Sequence, residues 1–460
     1  MFLILLFTAV LTYFLLNLWR GIKNNPKGPL PLPLIGNIHQ IFYNSWKTGG
    51  IVSGYHEFKK QYGKVFTLWF GPIPTVYIAD YDVAYETHVK RANVFGHRYT
   101  IGGMDYIREG RGIVGSNGDF WLEHRRFALT TLRNFGLGRN IMEEKIMDEY
   151  RYRIQDFSKT HAKNGGFEVN ASMFFDIFVG SIINQMLVSE RFEQGNQDFE
   201  QLKDNLTKSL EKISILDSFC PLWLLKSDLM RWRTKITLAP FDFVLKLVQD
   251  GLDKSLDTLA IDLYDLWLAG QETTSTTLTW AFACLLNHPE VVEKLRKELV
   301  QVTGGTRNVS LTDRAQTPYL SATINEVQRI SSILNVNIFR HLHEDTFIDG
   351  QPIAAGTVVT THLAMLHTDE EVYKNHMEFN PERFLENNNL EKKLIPFGIG
   401  KRSCPGESLA RAELYLILGN LVLEYNLEPV GVKPEIKTTT PFGLMKRPPI
   451  YDIRFVPVSH

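Results

Sequence analysis

The chain has 460 residues, of which 44% are hydrophobic and 12% aromatic, so it can bury a large core and lacks the composition of a disordered protein. Its formal net charge of −1 provides no overall field that would attract nucleic acid. Three cysteines, Cys220, Cys284 and Cys404, are too few for a disulfide framework in a chain of this length, which favours a reducing compartment.

The N-terminal segment up to Leu18 contains no charged side chain. As a helix it would span roughly 27 Å at ~1.5 Å per residue, close to the thickness of a hydrocarbon core. The basic residues Arg20, Lys23 and Lys27 follow this run, and no small-residue cleavage site comes after it, so a cleaved signal peptide fits less well. We predict a membrane anchor at residues 1–19 that leaves the rest of the chain in the cytosol.

The next predicted unit, residues 20–37, is rich in proline. Pro29, Pro31 and Pro33 fix φ and remove backbone donors, so we expect a stiff, extended hinge between the anchor and the domain. Pro-rich segments also bind aromatic grooves, but directly after a membrane span a spacer is the better interpretation.

Two segments have strand patterns. Residues 65–70 and 75–78 flank a Gly-Pro turn and predict a β-hairpin. A second β region is predicted over residues 346–364, with an Asp-Gly pair as its turn. Nearly all of the remainder has helical patterns. The predicted fold class is therefore mainly α with a small β portion, in one large domain over residues 38–460.

Two predicted helices are important for the domain core. One begins at Pro289, because acidic residues follow in its first turn and lysines come later, which matches the helix dipole. The other covers the apolar stretch from Leu256 to Leu286, which Gly270 interrupts. Residues 271–277 are too polar for a second membrane span, so we predict that this helix is buried in the domain.

Cys404 lies in the segment Pro396-Phe397-Gly398-Ile399-Gly400-Lys401-Arg402-Ser403-Cys404-Pro405-Gly406, before a predicted helix from Glu407 to Leu423. A cysteine at this position faces unpaired backbone N–H groups and the positive end of the helix dipole, which favour the thiolate. The glycines would let the backbone curl round the sulfur and donate amides to it. The alternative is a buried structural cysteine, which is our interpretation of Cys220 and Cys284.

The pattern Phe397-x-x-Gly400-x-Arg402-x-Cys404-x-Gly406 resembles the haem-binding loop of the cytochrome P-450 family at every fixed position. Four other segments resemble family motifs in the family's order: Trp121-x-x-x-Arg125, Ala269-Gly270-Gln271-Glu272-Thr273-Thr274, Glu326-x-x-Arg329 and Pro381-Glu382-Arg383-Phe384. Asn134-Phe135-Gly136 and the Pro-rich hinge are similar to the microsomal branch that metabolises drugs and lipids. The resemblance extends from the anchor to the C-terminus and implies the cytochrome P-450 fold, as a single large haem domain.

The resemblance implies that Cys404 is the metal ligand. The other haem-binding residues that it implies are Trp121, Arg125, Arg402, Arg98, Arg340, Phe397 and Gly398. It further implies a buried structural triad of Glu326, Arg329 and Arg383. An ordinary surface pair at i, i+3 is the alternative for the first two members of that triad.

The resemblance also implies that Thr273 and Glu272 deliver protons to oxygen, beside Gly270. Small residues at this point would allow the helix to open and admit a water molecule. A hydroxyl that bonds back to its own helix is the alternative interpretation of Thr273. An acidic residue on a buried helix is harder to explain by packing alone.

The implied activity is that of a haem-thiolate monooxygenase, which inserts one oxygen atom of O2 into a lipophilic xenobiotic, fatty acid or steroid. The implied cofactors are haem (iron protoporphyrin IX), O2 and, indirectly, NADPH. The implied partners are an NADPH-dependent flavoprotein reductase and the endoplasmic reticulum membrane, with cytochrome b5 as a further candidate donor and no nucleic acid. A basic run suits an acidic electron donor, although it could be a solvated face: Arg125, Arg126, Arg133, Arg139 and Lys401.

Two alternatives remain open. One is a haem-thiolate isomerase or dehydratase that rearranges a peroxide without a reductase, against which the acid and alcohol on the buried helix argue. The other is a catalytically impaired, membrane-tethered binder of haem or a hydrophobic ligand. One departure from the family matters here, because a helix and a long loop that normally precede the long buried helix are missing. We expect a shortened segment near residues 249–258, which would alter the roof of the substrate cavity.

Overall fold

The structure is a computed structural model that describes residues 18–99, 108–134, 140–212, 219–235, 257–436 and 445–458, together with positions 12 and 16. The predicted anchor and the predicted shortened segment lie almost entirely outside these ranges. Phe135, Gly136 and Arg139 also lie outside them.

The described helices follow the chain in this order: α1 Ile38–Thr48, α2 Ile51–Tyr62, α3 Tyr81–Tyr85, α4 Gly118–Asn134, α5 Asn140–Thr160, α6 Ala171–Val188, α7 Gln197–Lys212, α8 Leu222–Leu225, α9 Asp257–Asn287, α10 Pro289–Thr303, α11 Pro318–Ser331, α12 Leu363–His367, α13 Arg383–Glu386, α14 Asn389–Lys393 and α15 Glu407–Glu424. A π-helical turn and two 3-10 turns supplement them at Glu86–Lys90, Leu311–Gln316 and Gly400–Arg402. The strands are β1 Val65–Phe70, β2 Ile73–Ile78, β3 Ala162–Lys163, β4 Gly166–Asn170, β5 Arg340–His341, β6 Thr346–Ile348, β7 Gln351–Ile353, β8 Val358–Thr361, β9 Tyr425–Val430 and β10 Asp452–Pro457.

The described strands form two four-stranded sheets and one hairpin. The first sheet has the order β1-β2-β8-β5, in which β2 and β8 run parallel with Thr75 opposite Val358. The second sheet has the order β3-β4-β10-β9 and is antiparallel throughout, so it joins the C-terminal strand to the start of α6. The predicted hairpin and the predicted second β region are both confirmed, the latter as β6, β7 and β8.

The long helix α9 runs through the core, as predicted, and packs against α6, α11 and α15. Most of its side chains beyond Gly270 are buried, because other helices cover it on several sides. Among the described residues, α6 is the one helix long and apolar enough to cross a membrane, but 67% of it is buried within the domain. That burial is typical of a core helix.

The Pro-rich hinge docks on the domain rather than standing away from it. Gly36 forms a β-bridge with Phe70. The Asn37 side chain accepts a hydrogen bond from the Trp69 N–H at 2.7 Å and donates one to the Pro29 carbonyl at 3.1 Å. The hinge therefore fixes the entry of the chain against strand β1.

Candidate active site

A cavity of about 270 Å³ lies between α9, the segment after α11 and the loop that carries Cys404. Apolar side chains, among them Ile113, Ile183 and Ile338, form much of its wall. The predicted site residues that border it are Arg98, Trp121, Arg125, Gly270, Thr273, Phe397, Gly398, Arg402 and Cys404. The predicted residues Glu272 and Arg340 do not line it.

A short loop positions the sulfur of Cys404. The Cys404 N–H donates to the Phe397 carbonyl at 3.0 Å, which closes the loop just before α15 begins. Gly400 has a φ of 79°, and a Cβ at this position would lie 1.8 Å from the carbonyl oxygen of His88. Any residue with a side chain would therefore push the loop away from the π-helical turn that contains His88. The loop depends on this glycine for its position.

Cys404 is an exposed residue, and it borders the cavity. Burial raises the pKa of the thiol above its ordinary value, although the N–H of Gly406 opposes this rise by hydrogen bonding. The direction is opposite to the one predicted from the helix N-terminus, because desolvation outweighs the amide. Metal ligation would therefore be what stabilises the thiolate here.

The other two cysteines do not border this cavity. Cys284 is buried within α9, and burial raises the pKa of its thiol to about 12. Cys220 is half-buried. The geometry accordingly gives Cys284 a packing role and separates both cysteines from the candidate site.

Four arginines from separate segments converge beside the cavity: Arg98, Arg125, Arg340 and Arg402. The Arg402 guanidinium stacks over the Trp121 ring at 3.6 Å from its centroid, and Arg125 lies 5.6 Å from the same ring. Backbone carbonyls of Ile338, Ser403 and Gly96 accept hydrogen bonds from Arg98, Arg125 and Arg402 respectively. These carbonyls orient the guanidinium groups without neutralising their charge.

The arginine cluster has an unbalanced positive charge within the described part of the chain, where no carboxylate pairs with it. Burial and repulsion between the arginines lower the pKa of Arg340 and of Arg402 to about 9. Buried Nε and Nη1 of Arg340 and Nη1 of Arg402 have no hydrogen-bond partner among the described residues. Unpaired buried donors are costly, so these residues fit a ligand with anionic groups, such as the two propionates of haem.

Helix α9 is continuous through Gly270 and Thr273. The Thr273 hydroxyl donates to the Ala269 carbonyl at 2.7 Å, which is the alternative that sequence reasoning left open. A Cβ at Gly270 would lie 2.7 Å from Cδ1 of Ile183, so the glycine lets α6 approach α9 closely. Gly270 thus has a packing reason in this structure, and Thr273 keeps its hydroxyl at the edge of the cavity.

Glu272 points away from the cavity into a buried ion network. Its carboxylate pairs with Lys203 and, at 3.4 Å, with Arg447. Lys203 also pairs with Asp176 at 3.0 Å. Burial lowers the pKa of Lys203, but its two carboxylate neighbours outweigh this effect and leave the pKa raised. The network is thus a charged bridge between α7, α6 and α9.

The predicted triad is assembled and buried. Arg329 donates to both carboxylate oxygens of Glu326 at 2.7 and 2.8 Å, and Arg383 donates to Glu326 at 3.2 Å. The Arg329 guanidinium also donates to the His367 carbonyl at 3.0 Å. Glu326 and Arg329 have no exposed surface, which excludes the surface-pair alternative.

Sequence reasoning missed an ion pair at the cavity wall. Asp265 on α9 borders the cavity and accepts hydrogen bonds from the Arg108 Nε at 2.8 Å and from the Val114 N–H at 3.0 Å. An acid within an apolar stretch was the available signal for this residue. Lys203 gave no such signal, because its partners come from distant parts of the chain.

Comparison with known proteins gives one consistent match. The sequence model of the family described as Cytochrome P-450 matches residues 26–254 and 233–455. Probable cytochrome P-450 cyp-35D1 of Caenorhabditis elegans is 37% identical, with 98% of each chain covered. Cytochrome P-450 2H2 of Gallus gallus is 32% identical with 98% of each chain covered, and cytochrome P-450 2C21 of Canis lupus familiaris is 32% identical with 99% covered.

These alignments are longer than the chain itself. The alignment with the Caenorhabditis elegans relative extends over 494 residues whereas this chain has 460, so at least 34 aligned positions (494 − 460) have no residue here. The family match is divided into two parts that meet within residues 233–254. The location of the shortened segment near residues 249–258 stays a prediction.

Proposed function

The chain belongs to the cytochrome P-450 family of haem-thiolate monooxygenases, and we propose that it inserts one oxygen atom of O2 into a lipophilic xenobiotic, fatty acid or steroid. Electrons would come from NADPH through a flavoprotein reductase at the endoplasmic reticulum membrane. The observation that carries this proposal is the cavity in which a desolvated sulfur and an unbalanced arginine cluster meet an apolar wall.

The residues present fit a haem. In this proposal Cys404 ligates the iron, the arginine cluster binds the propionates, and the Trp121 ring contacts the guanidinium groups of Arg402 and Arg125. Haem, when bound, supplies an iron whose thiolate ligation favours cleavage of the O–O bond. The remaining task of the protein is to orient the substrate, exclude water and supply protons.

The proposed proton donor at the cavity edge is the Thr273 hydroxyl. Its proton is held by the Ala269 carbonyl at 2.7 Å, so donation into the cavity requires rotation about the Thr273 side chain. Glu272 would restore that proton only as the protonated acid, so its carboxylate must first leave Lys203 and Arg447 and take up a proton from water. We therefore propose that opening of this ion network controls the transfer of a proton from Glu272 to Thr273.

The proposed substrate class follows from the cavity wall. Ile113, Val114, Ile183, Leu187 and Ile338 offer apolar surface to a ligand. Such a wall favours lipophilic molecules through burial of apolar area and contributes little directional recognition. Xenobiotics, fatty acids and steroids all satisfy this requirement.

The proposed docking face for the electron donor lies on the side of α4 and of the loop before Cys404. Arg126, Arg133 and Lys401 are exposed there. A basic face attracts an acidic partner and accelerates its association at low salt. We therefore expect reductase-driven turnover to fall as ionic strength rises.

The decisive test is the spectrum of the reduced, carbon monoxide-bound protein, followed by reductase-driven turnover with NADPH and a panel of lipophilic compounds. We expect a red-shifted Soret band for the wild type and for Cys284→Ser, and loss of that band in Cys404→Ser. A wild type that binds no haem would support the non-enzymatic alternative. A wild type with the band that rearranges peroxides but shows no NADPH-dependent oxygenation would support the isomerase or dehydratase.

A further inference from the structure

His88 lies on the π-helical turn at Glu86–Lys90, next to the loop that carries Cys404. Its carbonyl oxygen is the atom that a Cβ at Gly400 would meet, so the backbone of His88 abuts this loop. Its imidazole contacts strand β8, where Nε2 is 2.7 Å from the Thr361 hydroxyl oxygen. π-Helical turns are rare and are frequently found at functional sites. One residue therefore joins the loop to the first sheet.

The pairing of β5 with β8 places Arg340 on the same face of this sheet as Thr361. Arg340 is directly opposite Val359, and residues that pair in this way share a face. Val359 and Thr361 are two residues apart on β8, so their side chains also share a face. Such diagonal neighbours are about 7–8 Å apart, a separation that long side chains can cross. The imidazole of His88, which is bonded to Thr361, therefore lies close to Arg340.

Polar atoms of both residues lack partners. Nδ1 of His88, and Nε and Nη1 of Arg340, are buried and make no hydrogen bond within the described part of the chain. His88 is 3% exposed and Arg340 is 1% exposed, so bulk solvent does not pair these atoms. Unpaired buried polar atoms are costly, and bound water commonly pairs them. A nitrogen acceptor and two guanidinium donors on one face of the sheet would complement each other.

The imidazole of His88 is neutral at pH 7. Burial lowers its pKa to about 3, and the positive charges of Arg340 and Arg98 contribute to this decrease. A neutral imidazole has one N–H donor and one acceptor nitrogen. When the Nε2–H donates to Thr361, Nδ1 is the acceptor, and neighbouring cations favour that tautomer.

We propose that His88 is a positioning residue for haem: its Nδ1 accepts a hydrogen bond from a water molecule that Arg340 binds, and this link fixes the Arg340 guanidinium for pairing with a propionate. Neither His88 nor Arg340 lines the cavity, so His88 acts on the propionate only through Arg340. The second unpaired donor of Arg340 is then available to the propionate. This role rests on the proposed function, because it requires that the cavity binds haem.

The test uses two substitutions that each keep one end of the imidazole. His88→Asn retains an acceptor near the position of Nδ1, whereas His88→Gln retains a polar group near the position of Nε2 alone. His88→Leu removes both ends. His39→Leu on α1, where the histidine is exposed, is the matched control. The measurement is the rate at which the full chain releases haem to an excess of apomyoglobin.

We expect His88→Gln and His88→Leu to release haem about tenfold faster than wild type. His88→Asn and the control should release it at nearly the wild-type rate. In the Arg340→Leu background, His88→Gln should have no further effect, because the residue through which His88 acts is already absent. In crystals of the haem-loaded full chain we expect one ordered water molecule between His88 Nδ1 and the Arg340 guanidinium, and its loss in His88→Gln.

Several results would overturn the proposal: wild-type release from His88→Gln, equal acceleration in His88→Asn and His88→Gln, an effect that persists in the Arg340→Leu background, or an Nδ1 atom bonded to another group. If His88→Leu does not fold, the asparagine and glutamine variants still decide it. A wild type without the red-shifted carbon monoxide band would overturn the proposed function together with this role. A normal band with unchanged haem release in His88→Gln would overturn this role alone.

Discussion

Two buried charged regions of this molecule differ in their balance of charge. The triad of Glu326, Arg329 and Arg383 contains its own counterions. The guanidinium group of Arg329 also donates a hydrogen bond to a neighbouring backbone carbonyl. The arginine cluster beside the cavity has no carboxylate in the described residues and leaves donors of Arg340 and Arg402 unpaired. A balanced buried network supports the fold, whereas an unbalanced one indicates a ligand that completes it. Substitutions in the two regions should accordingly change stability in opposite directions.

The largest effect is expected for Glu326→Leu. This change leaves Arg329 and Arg383 buried with no carboxylate, and removing one partner of a buried ion pair typically costs about 3–5 kcal/mol. We expect little folded, haem-containing protein, measured by expression yield and by urea unfolding. Glu293→Leu on α10, where the side chain is exposed, is the control and should behave as wild type. Normal unfolding of Glu326→Leu would contradict the structural role of the triad.

A smaller effect of opposite sign is expected for Arg340→Leu. Removing a buried cation that repels its neighbours should stabilise the haem-free chain by about 1–2 kcal/mol in urea unfolding. Because the pKa of Arg340 is lowered to about 9 in the folded state, the gain is full below pH 9 and shrinks at higher pH as the wild-type arginine loses its proton. The same variant should release haem faster to an excess of apomyoglobin. A destabilised haem-free chain, or unchanged haem release, would remove Arg340 from the proposed site.

The contrast between the two regions also explains what sequence could predict. The triad and the Cys404 loop are encoded by short local patterns, so the residues that assemble them were found from spacing and family resemblance. The partners of Glu272 were not found, because Lys203 and Arg447 come from remote segments and only packing of α6, α7 and α9 brings them together. The direction of the Cys404 pKa shift was wrong for a related reason, since desolvation depends on the whole cavity. Local capping is visible in sequence, whereas burial is not.

The smallest change in stability is expected for Glu272→Gln. This substitution tests the ion network around Glu272, whose balance of charge is intermediate between those of the two regions. Lys203 keeps Asp176 at 3.0 Å, and Arg447 is about one-quarter exposed, so solvent can compensate it. We expect a loss of about 1 kcal/mol in urea unfolding and unchanged haem binding. If Glu272 restores the Thr273 proton, reductase-driven turnover should fall by about 10²-fold while peroxide-driven turnover is retained, because peroxide brings its own protons. Equal loss of both activities would assign Glu272 to structure alone, and its network would then belong with the balanced triad.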